Sequence, residues 1–454
     1  MENGFWVFYN KITRKNETAP GFIKKTSSVK EERIMKRKMI SLLLCAAMVL
    51  PCISVQAEGE KKQLKFAVFS EDAELEFFED CVAEYNEIQD EVEIVLEQMP
   101  QEDYRGAKLA TAFASGEGPD IFYAYPGMFL KYASAGTMQP LNDYIDPAVL
   151  EDFSEASLEA CTVDGELLAL PYESELLGLY YNKELLEAAG IEPPTTWDEL
   201  YEAAAALTTD SCYGFTMEAT DTGHQLFEWY PFLWMTGNEV FKDRELALNE
   251  EGVIANFELK RKMFEEGYAN INPSRHNSDI GMLCEGETAM QLCGTWAISQ
   301  IEDGYPEMVD KIGVVPLPLA EGATPTTVAG GWKLCANSNS EYADEAAEFV
   351  VWMFGSEDNS RMTRWCTDVK FAYAPRKSVT ADGEELYHEG LRGVFTDQVY
   401  GTEIPELRLP AELTETMGEL LQTVYFDSSV SIEDAIAIAE EEVKEFMSTY
   451  DGAL

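Results

Sequence analysis

The chain has 454 residues, of which 46% are hydrophobic and 11% aromatic, enough for two domains with sizeable buried cores. Eighty-three acidic residues against 33 basic ones give a formal net charge of −50. A surface of that sign repels phosphate backbones and anionic lipid, which argues against nucleic-acid or membrane-surface binding and leaves solubility as its plainest role.

Residues 36–57 read as a targeting segment. Lys36-Arg37-Lys38 make a positive start, residues 39–50 make an apolar core, and Val55-Gln56-Ala57 set small residues at −3 and −1 before Glu58. The core is shorter than the ~20 apolar residues a membrane-spanning helix needs. The expectation is a signal peptide over 35–57, cleaved after Ala57, and an extracytoplasmic mature protein in the periplasm or at the cell surface. Lipid anchoring at Cys52 is the weaker alternative, because Pro51 stands where lipoprotein signals carry a small residue. Residues 1–34 read as a non-native extension: Lys30-Glu31-Glu32-Arg33 can be encoded by a purine run of the ribosome-binding kind just upstream of Met35.

Nine cysteines are present, and two fall in the signal. The others (Cys81, Cys161, Cys212, Cys284, Cys293, Cys335 and Cys366) are scattered with no Cys-x-x-Cys spacing, so neither a zinc site nor a redox pair is expected. Buried small hydrophobes are their expected role, with one or two disulfides as the alternative.

In chain order, 64–69 reads as a buried strand, 73–86 as a helix with Leu75, Phe78, Val82 and Tyr85 on one face, and 92–98 as an alternating strand. A helix over 101–115 ends at Gly116 and Gly118, and Ile121-Phe122-Tyr123 makes a third strand. That βαβαβ pattern predicts a parallel sheet with right-handed crossovers, whose ligands sit beyond the carboxyl ends of the strands. Residues 70–72 and 123–128 are the candidate positions there. The stretch DGELLALPYESELLGLYYNKELLEAAGIEPPTTWDEL (164–200) carries a carboxylate pair, Glu173 and Glu175, then a strand, a short helix, a proline break and a capped helix. Beyond it come a short strand at 212–217, the aromatic-dense 225–235 and an amphipathic helix at 251–266. Helix, turn, strand and helix follow over 279–301, then a strand at 312–317 and a strand pattern at 326–336 broken by Gly330-Gly331-Trp332. Helices at 341–354, at 357–366 and through 385–450 close the chain.

Several stretches, in order, resemble the family-one, maltodextrin-binding-protein-like branch of the extracellular solute-binding proteins of ABC transporters. GPDIFYA resembles its third strand and site loop, DGELLALPYESELLGLYYNK its hinge strand, and PPTTWDEL the next helix entry. EGETAMQLCGTWAIS resembles the Gly-x-Trp block of the second lobe, and VVPLP with Gly330-Gly331 completes the order. The resemblance implies an α/β, two-lobed periplasmic-binding-protein-like fold of type II, with three crossings and the ligand cleft between the lobes. Lobe 1 is then expected over 58–174 and 332–383, and lobe 2 over 175–331 and 384–454. The implied function is capture of a carbohydrate, mono- or oligosaccharide, for an ABC permease driven by a separate ATPase. The chain itself is expected to be a monomer with no catalysis, no cofactor and no metal.

A sugar offers apolar CH faces and a ring of hydroxyls, so its site needs aromatic platforms beside carboxylates. Trp296 falls on the stacking tryptophan of the family block, and Glu175 on the hinge-strand glutamate that accepts sugar hydroxyls. Glu173, two residues away, shares its strand face. Tyr123 and Tyr125 follow the third strand, although Tyr125-Pro126 stands where maltodextrin binders carry a charged residue. Glu71 and Asp72 follow the first strand, where they could equally cap the next helix. Phe227, Trp229 and Tyr230 divide between core and cleft wall, and Gly331 with Trp332 marks the second crossing. Closure is expected to bury the ligand between Trp296 and Tyr123, with Glu175 at the crossing.

Three rivals remain. A glycoside hydrolase needs two carboxyls about 5–9 Å apart, and Glu173 and Glu175 would stand about 7 Å apart on one strand face, but no independent acid–base pairing emerges. Metal capture by Tyr180-Tyr181 lacks support from the scattered histidines His224, His276 and His388. A peptide, amino-acid or polyamine ligand on the same fold is the remaining alternative.

Overall fold

The computed structural model describes residues 61–70 and 72–452. The signal segment with its cleavage site, Cys52, residues 1–34 and the candidate Glu71 lie outside them. The first lobe begins with β1 (Lys62–Val68), α1 (Asp72–Ile88) and β2 (Val92–Gln98). β1 runs parallel to β2, with Lys62 opposite Val92, and parallel to β3 (Ile121–Ala124), with Phe66 opposite Ile121. Helical spacing turns Phe77, Phe78, Cys81, Val82 and Tyr85 of α1 onto the sheet. The single helix expected over 101–115 is two, α2 (Gln101–Arg105) and α3 (Ala107–Ser115). Gly106 between them is extended, φ −90° and ψ −153°, which interrupts the i→i−4 ladder. α4 (Pro126–Ser134) begins where Pro126 occupies the first turn, which has no partner for its missing N–H.

After β4 (Leu170–Pro171) the chain enters the second lobe. Its sheet has β5 (Leu177–Asn182) at the centre, antiparallel to β6 (Met290–Gly294) and to β7 (Ile312–Val315). Around it pack α5 (Thr222–Trp234), α6 (Glu251–Glu265), α7 (Ala297–Gly304) and α8 (Ala411–Phe426). The strand expected at 212–217 is only a series of single bridges, Tyr213 to Thr288, Phe215 to Ala269 and Thr216 to Gln291. The broken pattern at 326–336 resolves into β8 (Thr327–Ala329) and β9 (Lys333–Ala336). β9 returns to the first lobe, antiparallel to β3, and completes a five-stranded sheet with β4 at its edge.

Two hydrophobic cores result. One holds Phe66, Phe77, Phe122, Leu334, Phe349 and Trp365; the other holds Leu179, Tyr180, Trp229, Phe257, Leu292 and Leu421. The chain passes between them after Tyr172, after Val328 and between Val379 and Tyr387. The crossings brace one another: Ser174 bridges to Tyr373, Leu176 to Ala329, and the Gly330 N–H donates to the Glu175 carbonyl at 2.9 Å. The seven cysteines outside the signal are free thiols, all buried except the half-buried Cys212. Among the described residues no helix is long and apolar enough to cross a membrane.

Candidate ligand-binding cleft

A cleft of about 650 Å³, its open mouth included, lies between the two cores. The first lobe supplies Phe69, Glu74, Gln101, Arg105, Tyr125, Trp332 and Lys370. The second supplies Gly223, His224, Phe227, Ser278, Trp296, Gln300 and Glu406, and the crossings supply Glu175 and Gly331. A wider outer part, about 1160 Å³, continues from it past Phe69, Glu74, Gln101 and Gln300.

Each lobe offers an aromatic wall. On the first, the Trp332 ring stands 5.0 Å from Phe69 and 5.3 Å from Tyr125 at 79°. On the second, Trp296 lies 6.2 Å from Phe227 and 6.0 Å from His224. The Gly-x-Trp spacing has a steric cause: the Trp296 indole folds back so that a Cβ on Gly294 would stand 1.8 Å from it. The indole N–H donates to the Ser278 carbonyl at 2.8 Å, which fixes the ring.

The floor is ionic. Lys370 Nζ lies 3.2 Å from Glu175, 3.4 Å from Glu173 and 3.9 Å from Glu74. Glu173 is wholly interior; it accepts from the Trp332 N–H at 2.9 Å and the Trp365 Nε1–H at 2.7 Å. Burial pushes the Glu175 carboxyl up to about 8 against the pull of Lys370, and Glu173 adds to the rise. Burial opposes charge on Lys370 too, but Glu173 and Glu175 outweigh it and hold the ammonium well above its usual range. Across the cleft, burial raises Glu406 to about 7, opposed by Lys333 and Arg105.

The lobes also touch directly. Arg105 Nε of α2 donates to Asp221 Oδ2 at 2.9 Å, and Gln101 Nε2 donates to Ser278 Oγ at 3.3 Å. Asp221 caps α5 by accepting from the His224 N–H at 2.9 Å. Burial works against its charge, yet Arg105 and His276 hold its carboxyl well below the usual range. Behind it, Glu218 accepts from the N–H groups of Ala219, Thr220 and Asp221, and from that of Asn277 at 3.1 Å. Those bonds and the facing histidines lower it to about 2 in spite of burial. Among the described residues no group of three or more His, Cys, Asp or Glu is arranged to hold a metal ion.

Of the residues singled out in the sequence, Glu175, Trp296, Tyr125, Phe227, Gly331 and Trp332 line the inner cleft, and Asp72 lines its outer part. Four others do not reach it. Tyr123 is packed inside the first lobe, stacked on Tyr104 at 4.9 Å, with its hydroxyl accepting from the Phe69 N–H at 2.8 Å. β3 is covered on both faces, so the side chain after the strand, Tyr125, is the one that reaches the cleft. Glu173 sits under Trp332 as a support. Trp229 stacks on Phe257 at 5.6 Å and Tyr230 on Trp234 at 5.1 Å, because α5 is buried all round and turns only its 223, 224 and 227 positions to the cleft. The sequence reading overlooked Arg105, His224, Lys370 and Glu406. Only Lys370 had a signal: two carboxylates in one buried crossing demand a cation.

A cleft between two α/β lobes, walled by aromatics and floored by ion pairs, is the arrangement found in hinged solute-binding proteins. The profile of the bacterial extracellular solute-binding proteins matches residues 70–360, and the chain belongs to that family. It is 27% identical over 288 residues to a maltotriose-binding protein of Pyrococcus abyssi, covering 62% of this chain and 59% of that one. With a putative binding protein of Brucella abortus it shares 23% over 267 residues, 57% of this chain and 63% of the relative. The chain thus spans about three-fifths of the length of these relatives. With an arabinooligosaccharide-binding protein of Bacillus subtilis it shares 24% over 343 residues, 71% and 76% of the two chains. A Thermotoga lettingae ABC transporter solute-binding protein bound with α-D-tagatose superposes with a TM-score of 0.73 at 23% identity, over 85% of this chain and 100% of that one. A Thermus thermophilus maltotriose-binding protein bound with maltotriose does so with a TM-score of 0.70 at 20% identity, over 85% and 100%.

Proposed function

We propose that this chain is an exported, non-catalytic binding protein that captures a carbohydrate and delivers it to an ABC importer. The observation that carries the reading is the pairing of walls: Trp332 with Tyr125 on one lobe faces Trp296 with Phe227 on the other, and Glu175, Glu74 and Glu406 supply hydroxyl partners between them. Apolar sugar faces stack on the rings while hydroxyls bond to the carboxyls. The named ligands of the relatives, maltotriose and arabinooligosaccharide, support the same class. Hydrolysis is disfavoured because Glu173 and Glu175 are both tied to one ammonium, whereas an acid–base pair needs two independently poised carboxyls.

The remaining parts of the reading are a signal removed after Ala57, lobes over 58–174 with 332–383 and over 175–331 with 384–454, a monomeric state, and permease partners powered by a separate ATPase. Thermal-shift and calorimetric screening of mono- and oligosaccharides tests the ligand class. A true ligand at about a hundredfold its Kd stabilises by about 2.7 kcal/mol. Trp296→Ala and Glu175→Ala should each weaken binding by at least tenfold with folding intact. A response to amino acids or polyamines and to no saccharide would overturn the reading.

A further inference from the structure

Glu406 is 7% exposed and lines the inner cleft, yet among the described residues no lysine, arginine or histidine forms an ion pair with it. Its carboxyl accepts from the Gly127 N–H in the first turn of α4, where a Cβ would stand 3.3 Å from Oε1. The cations nearby are committed elsewhere. Arg105 and His276 face Asp221 at 2.9 Å and 3.5 Å, and His224 faces Glu228 at 3.2 Å. Lys333 Nζ donates to the Gly331 carbonyl. On the floor, Lys370 is divided among Glu175, Glu173 and Glu74. Backbone pairing sets Glu175 and Glu406 on either side of one segment. Leu176 bridges to Ala329, the Gly330 N–H donates to the Glu175 carbonyl at 2.9 Å, and the Glu406 N–H donates to the Ala329 carbonyl at 3.0 Å. At about 4.8 Å for each strand spacing, the two backbones stand roughly 10 Å apart. Between them run Gly330 and Gly331, which put no side chain into the gap; the Phe227 ring lies against Gly330, where a Cβ would stand 2.6 Å from it.

We propose that the inner cleft takes a sugar carrying an ammonium group, held between Glu175 and Glu406. The proposal rests on the carbohydrate reading and names the class of sugar. A carboxyl taken out of water keeps its charge only when a cation comes with it. Here burial raises Glu175 to about 8 and Glu406 to about 7, so near neutral pH each holds a proton in place of that cation. An ammonium entering between them makes charge-assisted hydrogen bonds where the protons stood. Each ammonium bound then sends about one carboxyl proton out to water. A hydroxyl or an N-acetyl group in the same place brings no charge. A uronate or a sugar phosphate meets carboxyls on both sides, so discrimination works by repulsion as well as by attraction.

The test is titration calorimetry at about pH 6.5, where amino sugars are charged, in two buffers of different ionisation enthalpy. The probes are glucosamine, galactosamine and chitosan oligomers of two to six units, each beside its N-acetyl and its hydroxyl counterpart. Glucuronate, tagatose, malto- and arabino-oligosaccharides and spermidine complete the set. The expected result is an amine bound at least tenfold more tightly than both of its counterparts, with about one proton released and no binding of glucuronate. Glu406→Gln, which keeps size and hydrogen bonding, should bring the amine preference below threefold while melting as cooperatively as the wild type. If that variant does not fold, Glu175→Gln carries the same comparison. A hydroxyl or N-acetyl sugar bound as tightly as the amine, or more tightly, overturns the ammonium and leaves the carbohydrate reading standing. An amine preference that releases no proton, or that survives Glu406→Gln, overturns the placement between Glu175 and Glu406. Binding of spermidine with silence from every saccharide overturns the carbohydrate reading and the ammonium sugar with it, as does silence throughout.

Discussion

At the scale of single residues, the cleft floor turns on Glu173. It neutralises Lys370, accepts the Trp332 N–H and accepts the Trp365 indole N–H, all out of water. Glu173→Ala would leave two buried donors without an acceptor and take one of the three carboxylates from Lys370, which keeps Glu175 and Glu74; a loss of about 1–3 kcal/mol for each unsatisfied donor is the usual scale, read as a lowered urea midpoint. Glu173→Gln keeps acceptor and shape and should lose less; equal losses would mean that the charge is not what matters. The sequence showed the two carboxylates and, through the family resemblance, put Glu175 ahead of Glu173 as a ligand, yet it gave no sign that Glu173 is a support. That role depends on Lys370, nearly two hundred positions away, and on Trp365, both on the segment that the second crossing returns to the first lobe. Trp296 was legible because its constraint is local: a glycine two residues earlier that its own ring covers.

At the scale of elements, two segments carry strain of different kinds. Gly331 joins β8 to β9 with φ +101°, and a Cβ there would stand 2.6 Å from the Glu173 carbonyl oxygen. Gly331→Ala should therefore lose at least about 1–3 kcal/mol from backbone strain alone, seen as a lower Tm, and should loosen the second crossing. In α6, Lys260 is 2% exposed, faces the Phe232 ring at 4.1 Å, and has no hydrogen-bond partner for its Nζ. Burial lowers its amine to about 7 from 10.5, opposed by Glu228. The folded chain gives up that proton before the unfolded chain does, so the deficit is full below about 7 and shrinks as pH rises towards 10.5. Lys260→Met should stabilise by about 2–4 kcal/mol at pH 7, as removal of an uncompensated buried charge does, and by less at pH 10. A destabilised variant would show that the ammonium has a role in the fold. Helix periodicity placed α6 but gave no warning of a lysine on its inner face, just as it placed α1 and missed the break at Gly106. The pattern of 92–98 was plain because a strand exposed on one face alternates, whereas α5, buried all round, gave no period from which to tell Phe227 from Trp229 and Tyr230.

For the whole molecule, the carboxyls between the lobes set how stability varies with pH, and they divide by sign. Glu218 and Asp221 are held below their ordinary range, so their contribution is present at neutral pH and is lost as pH falls below about 4 towards 2. Glu406 behaves oppositely. Folded, it keeps its proton up to about 7; unfolded, it releases it near 4.5. Across that window the folded chain holds more protons, so the contribution is whole below 4.5 and is lost as pH rises to about 7. At about 1.4 kcal/mol for each pH unit, Glu406 alone accounts for roughly 3 kcal/mol. Glu175, raised to about 8, acts in the same direction and extends the decline. Unfolding in urea should therefore give its highest midpoint near pH 5 and a falling one to pH 7, the same direction in which relief of self-repulsion at a net charge of −50 acts, so the single-residue comparison is what isolates the cleft carboxyl. Glu406→Gln should flatten the decline between pH 5 and 7 without altering the loss below pH 4. A midpoint that rises from pH 5 to 7 in the wild type would mean that the cleft carboxyls stay solvated and ionised, and that the lobes do not meet in solution as Arg105 and Asp221 have them meet.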